Sequence, residues 1–116
     1  MLVTIHHRKG GTGKTSTTQH MSAAAAKAGI RTLAIDCDGQ ANLTAAFGVR
    51  KPKAGIADAL RAAMRLENPP FPDIIVPVVE DLDLIPSTSE SFRVQDEIAQ
   101  YDGLRAGLLR AIKPGL

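Results

Sequence analysis

Residues 9–16 read Lys9-Gly10-Gly11-Thr12-Gly13-Lys14-Thr15-Ser16 and lie between a short apolar run and a helical pattern. Three glycines in four positions let the backbone turn freely and approach a ligand without interference from Cβ atoms. Successive N–H groups in such a loop form a concave nest for anions. The start of the following helix adds further N–H donors and a positive dipole end. The stretch therefore predicts a phosphate-binding loop that leads into a helix.

Two side chains near the end of this stretch fit a nucleotide bound together with a metal ion. Lys14 is placed to reach the outer phosphates, and the hydroxyl of Thr15 is placed to ligate the accompanying Mg²⁺. A Gly-rich, basic surface turn is one alternative. A dinucleotide-binding fingerprint is another, but it requires glycine or alanine where the chain has Ser16, and it gives Lys14 and Thr15 no role.

The sequence of the rest of the chain predicts a series of strands and helices. Runs rich in β-branched residues predict strands, and apolar residues three and four positions apart predict helices. The predicted strands are residues 2–5 (extending as far as 7), 30–35, 74–79 and 82–85. The third is expected to be an edge strand or an irregular segment because Pro77 lacks a backbone donor. The predicted helices are residues 14–28, 44–47 and 56–66, followed by a helical pattern after residue 88 that runs to 112 with a break near 101–103. In the first helix the recurring apolar residues are Met21, Ala24, Ala25 and Ala28.

Asp36 and Asp38 directly follow the second predicted strand. A right-handed crossover makes the first two strands parallel, so that their carboxyl ends share one edge of the sheet. Open α/β sheets bind ligands at that edge. Carboxylates placed there suit a Mg²⁺ ligand or a group that positions the attacking water in phosphoryl transfer. The use of aspartate in a turn or as a helix N-cap is the alternative.

The composition is typical of an ordinary soluble protein. The 116 residues fit a single domain, and 14 basic against 12 acidic residues give a net charge of +2. That charge is too small to indicate nucleic-acid binding by itself. The single cysteine, Cys37, excludes an internal disulfide and fits a reducing compartment. The sequence shows neither a signal peptide nor an apolar run of membrane-spanning length, and we expect a cytoplasmic protein without membrane contact.

Two motifs resemble one known family. The pattern of residues 9–16 resembles the deviant Walker A motif of the ParA/MinD family of ATPases. Arg8 stands where the standard phosphate loop has its first glycine, and Thr12 stands at a position that is more often aliphatic in the family. Residues 36–44 resemble the DxDPQGNxT segment of the ParA branch, with Gly39 in place of the usual proline and Ala41 in place of the usual glycine. The matched positions are Asp36, Asp38, Gln40, Asn42 and Thr44. Residues 82–112 resemble the family more diffusely.

This resemblance implies an α/β fold of the P-loop NTPase type. The sheet would be mostly parallel, with flanking helices, and incomplete because the chain stops before the strand that carries the Walker B aspartate. Residues 1–116 would then form a single partial P-loop ATPase domain, the N-terminal portion of a ParA-like protein. A MinD-like ATPase of the same superfamily is an alternative.

The resemblance also assigns roles to individual residues. ATP and Mg²⁺ would be the cofactors, and the nucleotide would bind to Lys9, Gly10, Gly11, Thr12, Gly13, Lys14, Thr15 and Ser16. Thr15 would ligate Mg²⁺ with Asp36 nearby, and Asp38 would orient the attacking water. Lys9 would reach across a nucleotide-bound dimer to the partner's phosphates, where it would act in catalysis together with Lys14 and Asp38.

The function that the resemblance implies is ATP-dependent partitioning of a plasmid or chromosome. The implied partners are a second copy of the chain in an ATP-dependent homodimer, a ParB-like protein that stimulates hydrolysis, and nonspecific DNA on the bacterial nucleoid. Hydrolysis by this chain is left open because the Walker B region is missing from it. The alternative from a different class is a truncated, non-hydrolysing remnant that acts as an interaction module.

Overall fold

The computed structural model describes Val3 and residues 13–100, and of Lys14 it describes the backbone alone. Five helices and three strands lie within residues 13–100. They are α1 (Lys14–Lys27), β1 (Thr32–Ile35), α2 (Asn42–Ala46), α3 (Ile56–Met64), α4 (Phe71–Ile74), β2 (Val76–Val79), β3 (Leu82–Ile85) and α5 (Ser91–Gln100). The first predicted strand, apart from Val3, and the helical pattern beyond residue 100 lie outside the described residues.

The three described strands form one mixed sheet in the order β1-β3-β2. β1 and β3 run parallel, with Thr32 opposite Leu82 and Ile35 opposite Ile85. β2 runs antiparallel to β3 at the edge, and its register shifts between Pro77 and Val79. Among the described strands β2 therefore holds the predicted edge position, and the irregularity falls at the proline that lacks a donor.

Helices cover both faces of this sheet. Alternate residues of a strand point to opposite faces, so Leu82 and Leu84 face one side and Ile85 faces the other. The first side packs in a cluster that contains Ala26 of α1 and Leu43 of α2. The second side packs in a separate cluster whose members are Ile56, Ala59, Ile74 and Ile85. The result is the layered α/β arrangement that the sequence predicts, with the described part of its sheet mixed rather than mostly parallel.

The first helix is one residue shorter than predicted, and its recurring apolar residues do not mark its buried side. α1 ends in a Schellman motif, where Gly29 adopts φ 83° and Ile30 donates to the carbonyl of Ala25 at 3.0 Å. Ser22 and Ala26 are buried, whereas Met21 is 49% exposed, so the helical spacing predicts the helix but not its buried side. An unbroken run of alanines places small apolar groups on every side of a helix and therefore leaves the buried side to tertiary packing.

Several bounds differ from prediction by two residues, at the start of α2, the end of α3 and the start of β2, and one short helix was not predicted. α4 is a single helical turn in a region where the sequence predicts only the end of the preceding helix. It carries a proline in this turn, at a position where a missing N–H costs nothing. β1 begins at Thr32 rather than at residue 30, and Leu33 and Ile35 are 46% and 41% exposed. No helix within the described ranges has the length and apolar character needed to cross a membrane.

Candidate functional site

A tight left-handed turn leads into α1 at the end of the predicted phosphate loop. Gly13 adopts φ 82° and ψ 6°, and α1 begins at the next residue. A Cβ added at Gly13 would meet nothing within 4 Å, so the backbone angle and not crowding favours glycine there. Thr17 donates to the carbonyl of Gly13 at 2.9 Å, which closes the first helical turn. The earlier N–H groups of a helix have no partner within the helix and are available to an anion.

Much of the predicted loop lies outside the described residues. Lys9, Gly10, Gly11 and Thr12 belong to that part, and so does the side chain of Lys14. Thr15 is half-buried and Ser16 is exposed at the start of α1. The predicted meeting of this loop with the carboxylates that follow β1 therefore remains a prediction.

Asp36 lies at the carboxyl end of β1 and is 3% exposed. Its Oδ2 accepts hydrogen bonds from the backbone N–H of Thr44 at 2.9 Å and from the hydroxyl of Thr44 at 2.6 Å. Its Oδ1 accepts the N–H of Asp38 at 3.1 Å. A buried carboxylate needs such donors to offset the loss of water. Asp36 therefore fixes both ends of the segment from residue 36 to residue 44, which we call the 36–44 loop.

Thr44 joins this loop to the end of the neighbouring parallel strand. Its hydroxyl, which donates to Asp36, also accepts the N–H of Ser87 at 2.9 Å. The hydroxyls of Ser87 and Ser91 are 2.8 Å apart, and the Ser91 oxygen accepts the N–H of Thr88 at 3.3 Å. A continuous line of hydrogen bonds thus runs from the end of β1, past the end of β3, to the start of α5.

Asp38 lies at the turn inside this loop. Its Oδ1 accepts the N–H of Gln40 at 3.0 Å, and its carbonyl accepts the N–H of Ala41 at 2.9 Å. Ala41 adopts φ 56° in the left-handed region, where a residue with a Cβ costs about 1–2 kcal/mol more than glycine. This geometry gives a physical reason for the glycine that the ParA-type segment carries at this position.

The described residues alone do not form a closed metal centre. No group of three or more histidine, cysteine, aspartate or glutamate side chains that could hold a metal ion occurs among them. Mg²⁺ in nucleotide sites is held by one or two protein ligands, water and the phosphates, so such a group is not required. The Asp36 Oδ1 accepts one N–H and retains capacity for a further interaction.

Cys37 separates the two aspartates. Partial burial of its sulfur raises the pKa of the Cys37 thiol, and the neighbouring Asp36 carboxylate raises it further, although the residue as a whole is exposed. A raised pKa leaves the thiol protonated near neutral pH and lowers its nucleophilicity. Cys37 is therefore not a candidate nucleophile.

Ser87 and Ser91 are the site residues that the sequence did not indicate. They are 1% and 2% exposed, and both belong to the line of hydrogen bonds that starts at Asp36. A weak signal was present, because the Pro86-Ser87-Thr88 stretch directly follows the strand predicted at residues 82–85. The sequence did not show that Thr44 would connect this stretch to Asp36.

Replacing Thr44 by valine is expected to destabilise the fold by about 2–3 kcal/mol. The change keeps the shape but removes the hydroxyl, so the buried N–H of Ser87 loses its acceptor and Asp36 loses a donor. Urea unfolding measures the free-energy difference. The matched control is Thr17→Val at an exposed position of α1, which we expect to change stability by less than about 0.5 kcal/mol. Equal effects of the two changes would contradict a structural role for the Thr44 hydroxyl.

Comparison with known proteins identifies the family. A family model described as "AAA domain" matches residues 1–114. The chromosome partitioning protein ParA of Myxococcus xanthus is 28% identical over 114 residues, which are 97% of this chain and 39% of that protein.

Two solved structures share the fold. The McdA(D38A)–ATP complex of Cyanothece has a TM-score of 0.70 and 28% identity, and the match covers 91% of this chain and 40% of that one. The cobyrinic acid a,c-diamide synthase of Mycobacterium smegmatis, solved with an ATP analogue and magnesium, has a TM-score of 0.78 and 23% identity over 94% of this chain and 43% of that one.

In each of these comparisons the chain spans less than half the length of the protein it matches. The fold, the match to the family model and the ParA relative agree with the two motifs at residues 9–16 and 36–44. The chain therefore belongs to the AAA-domain family, and its similarity to ParA of Myxococcus xanthus agrees with the resemblance of its two motifs.

Proposed function

We propose that the chain binds ATP together with Mg²⁺ at the loop of residues 9–16. The observation that carries this proposal is the left-handed turn at Gly13 followed at once by α1, with Lys14 and Thr15 as the first helical residues. This junction aims unpaired N–H groups and the positive end of a 14-residue helix at one point. The relative McdA, 28% identical, was solved as an ATP complex and supports the choice of nucleotide.

Within this proposal each predicted residue has a defined task. The amides of residues 10–16 surround the phosphates, and the ammonium group of Lys14 contacts the β and γ oxygens. The hydroxyl of Thr15 would ligate Mg²⁺, with Asp36 nearby. Asp38 orients the water that attacks the γ phosphate. Mg²⁺ would neutralise the charge that develops on the phosphates, while the chain's own groups position the reactants.

The wider role that we propose is ATP-dependent partitioning of DNA in a bacterial cell. Residues 1–116 would form one partial P-loop domain of such a protein. ATP would hold two copies together, and Lys9 of each would contact the phosphates bound by the other, which would couple hydrolysis to association. A ParB-like protein would stimulate hydrolysis, and the dimer would bind nonspecific DNA on the nucleoid. The support for this role is the similarity to ParA of Myxococcus xanthus.

Replacing Lys14 by alanine is expected to abolish stabilisation by ATP and Mg²⁺. A ligand at 100 times its dissociation constant adds about 2.7 kcal/mol to the free energy of unfolding, which raises the thermal midpoint of a domain of this size by about 10 °C. We expect that increase for the parent chain and for the control Lys27→Ala, whose side chain is exposed in the last turn of α1. Thermal unfolding with and without millimolar ATP and Mg²⁺ measures it.

The outcomes of this experiment test two claims separately: that the chain binds nucleotide, and that it does so at the loop of residues 9–16. If the parent chain gains no stability from ATP and Mg²⁺, the chain does not bind nucleotide and the proposal is wrong. If Lys14→Ala is stabilised as much as the parent chain, the nucleotide binds elsewhere and the assignment of the loop is wrong.

A further inference from the structure

One face of α5 contacts the 36–44 loop directly at two places and through Ser87 at a third. Ser91, at the start of the helix, ends the line of hydrogen bonds that begins at Asp36. Gln95, four residues later and so on the same side of the helix, donates from Nε2 to the carbonyl of Cys37 at 3.3 Å. Phe92, between them, has its ring against Gly39. These contacts bracket Asp38, whose neighbours in the chain are Cys37 and Gly39.

The contact between Phe92 and Gly39 is unusually close. A Cβ added at Gly39 would lie 2.5–2.8 Å from three atoms of the Phe92 ring, a separation that real Cβ atoms do not show. Gly39 is not among the described glycines with a positive φ. Its lack of a side chain is therefore explained by the ring that occupies this space and not by the backbone angle. The ParA-type segment carries proline at this position, and a proline ring would meet Phe92 in the same way.

Other contacts of α5 hold the helix in place against the rest of the fold, and with it Phe92. Val94 is fully buried on the side that faces the core. Arg61 of α3 forms ion pairs with Glu90 at 2.9 Å and with Glu97 at 3.2 Å, near the two ends of α5. The Arg61 guanidinium holds the pKa of Glu90 below its ordinary value, so this pairing persists near neutral pH. Phe92 itself is 49% exposed, and its ring lies on the turn while one side remains in solvent.

We propose that Phe92 is a positioning residue for Asp38. Its ring lies over Gly39 and holds the turn of residues 38–41 in the conformation in which Asp38 accepts the N–H groups of Gln40 and Ala41. This inference rests on the proposed function, because that function gives Asp38 its task of orienting the water. In this chain the position that carries proline in ParA-type segments is Gly39. The ring of Phe92, on α5, holds the turn at this position, and it fits only against glycine.

The test is amide hydrogen exchange of the nucleotide-free chain, measured residue by residue by NMR. Phe92→Ala is expected to speed exchange at Gln40 and Ala41 about tenfold, while the N–H of Asp36, which donates to Ile85 in the sheet, keeps its rate within about twofold. Phe92→Leu, which retains a bulky apolar group, is expected to restore most of the protection. Arg93→Ala, at the neighbouring exposed position, is the matched control and is expected to leave these amides unchanged.

Gly39→Ala provides the complementary variant. The added methyl group is expected to push the ring off the turn and to speed the same two amides, with little change in global stability because an exposed ring moves easily. The double variant Gly39→Ala/Phe92→Ala is expected to exchange no faster than Phe92→Ala, since both changes remove one contact. Additive effects would overturn the proposal.

Two further results would also overturn it. Unchanged exchange at Gln40 and Ala41 in Phe92→Ala would show that the ring does not hold the turn. Equal acceleration at the turn and at Asp36 would show a general structural role only. Neither result depends on nucleotide, so failure of this inference and failure of the proposed ATP site are distinguished by separate measurements.

Discussion

Replacing Gly55 by alanine is expected to destabilise the chain by about 3 kcal/mol, one of the two largest effects that the structure predicts. Gly55 is buried immediately before α3, and a Cβ there would overlap the carbonyl oxygen of Pro86 and lie 3.1 Å from Cγ2 of Thr88. Its φ of −170° is extended and open to any residue, so the cost is steric. Overpacking in a closed site costs about 1–3 kcal/mol, and more where backbone is the obstacle.

The neighbouring hydrogen bonds oppose a shift of α3 that would relieve the clash with the Pro86 carbonyl. Ile56 donates to the same Pro86 carbonyl at 2.9 Å, and the carboxylate of Asp58 accepts the N–H of Gly55 at 2.8 Å. Moving α3 away from the carbonyl would lengthen the first bond and disturb the helix start. Urea unfolding at neutral pH measures the change in the free energy of unfolding.

Gly48→Ala is the matched control for this variant. Gly48 has φ 79° but open space around its Cα, so the change carries only the cost of a left-handed backbone, about 1–2 kcal/mol. We therefore expect Gly55→Ala to be the more damaging of the two. If it is as mild as Gly48→Ala, the close approach of α3 to the end of β3 is wrong.

Replacing Asp36 by alanine is expected to cost about 3–4 kcal/mol. The change removes three accepted hydrogen bonds at once and leaves the buried N–H of Thr44 without its acceptor. A buried donor that loses a charged partner costs more than the average hydrogen bond contributes. The expected result in urea unfolding is a lower midpoint with an unchanged slope, because the fold is weakened rather than expanded.

A control and a double variant make this prediction specific. Asp96→Ala removes an exposed carboxylate from α5 and is expected to change stability by less than about 0.5 kcal/mol. Asp36→Ala combined with Thr44→Val is expected to cost less than the sum of the single changes, because the two groups bond to each other. A simple sum would contradict the direct coupling of Asp36 to Thr44.

Several elements followed from local sequence. The bounds of β3 are those predicted, and α1 differs from prediction by one residue because a left-handed glycine ends it. Gly48 ends α2 in the same way, at φ 79°. Such helix ends depend on one glycine and its backbone angle, so they can be predicted from the sequence without knowledge of the rest of the fold.

Other features depended on packing. In α1 Met21 is exposed and Ser22 is buried, since the sheet contacts a side of the helix that the alanines did not distinguish. The single turn α4 forms only because Ile74, 1% exposed, joins the cluster around Ile85. Leu33 and Ile35 lie in the predicted second strand, and the structure shows them exposed.

By itself the sequence determined the family, the phosphate-loop motif and the two aspartates that follow β1, because spacing along the chain specifies a loop, a helix start and a strand end. Only the tertiary structure decided that Asp36 is bound to Thr44 and, through it, to Ser87 near the end of β3, and that Phe92 lies on Gly39. These partners are 8, 51 and 53 positions apart in the chain. Their contacts arise from the parallel pairing of β1 with β3 and from the docking of α5, which no local pattern encodes.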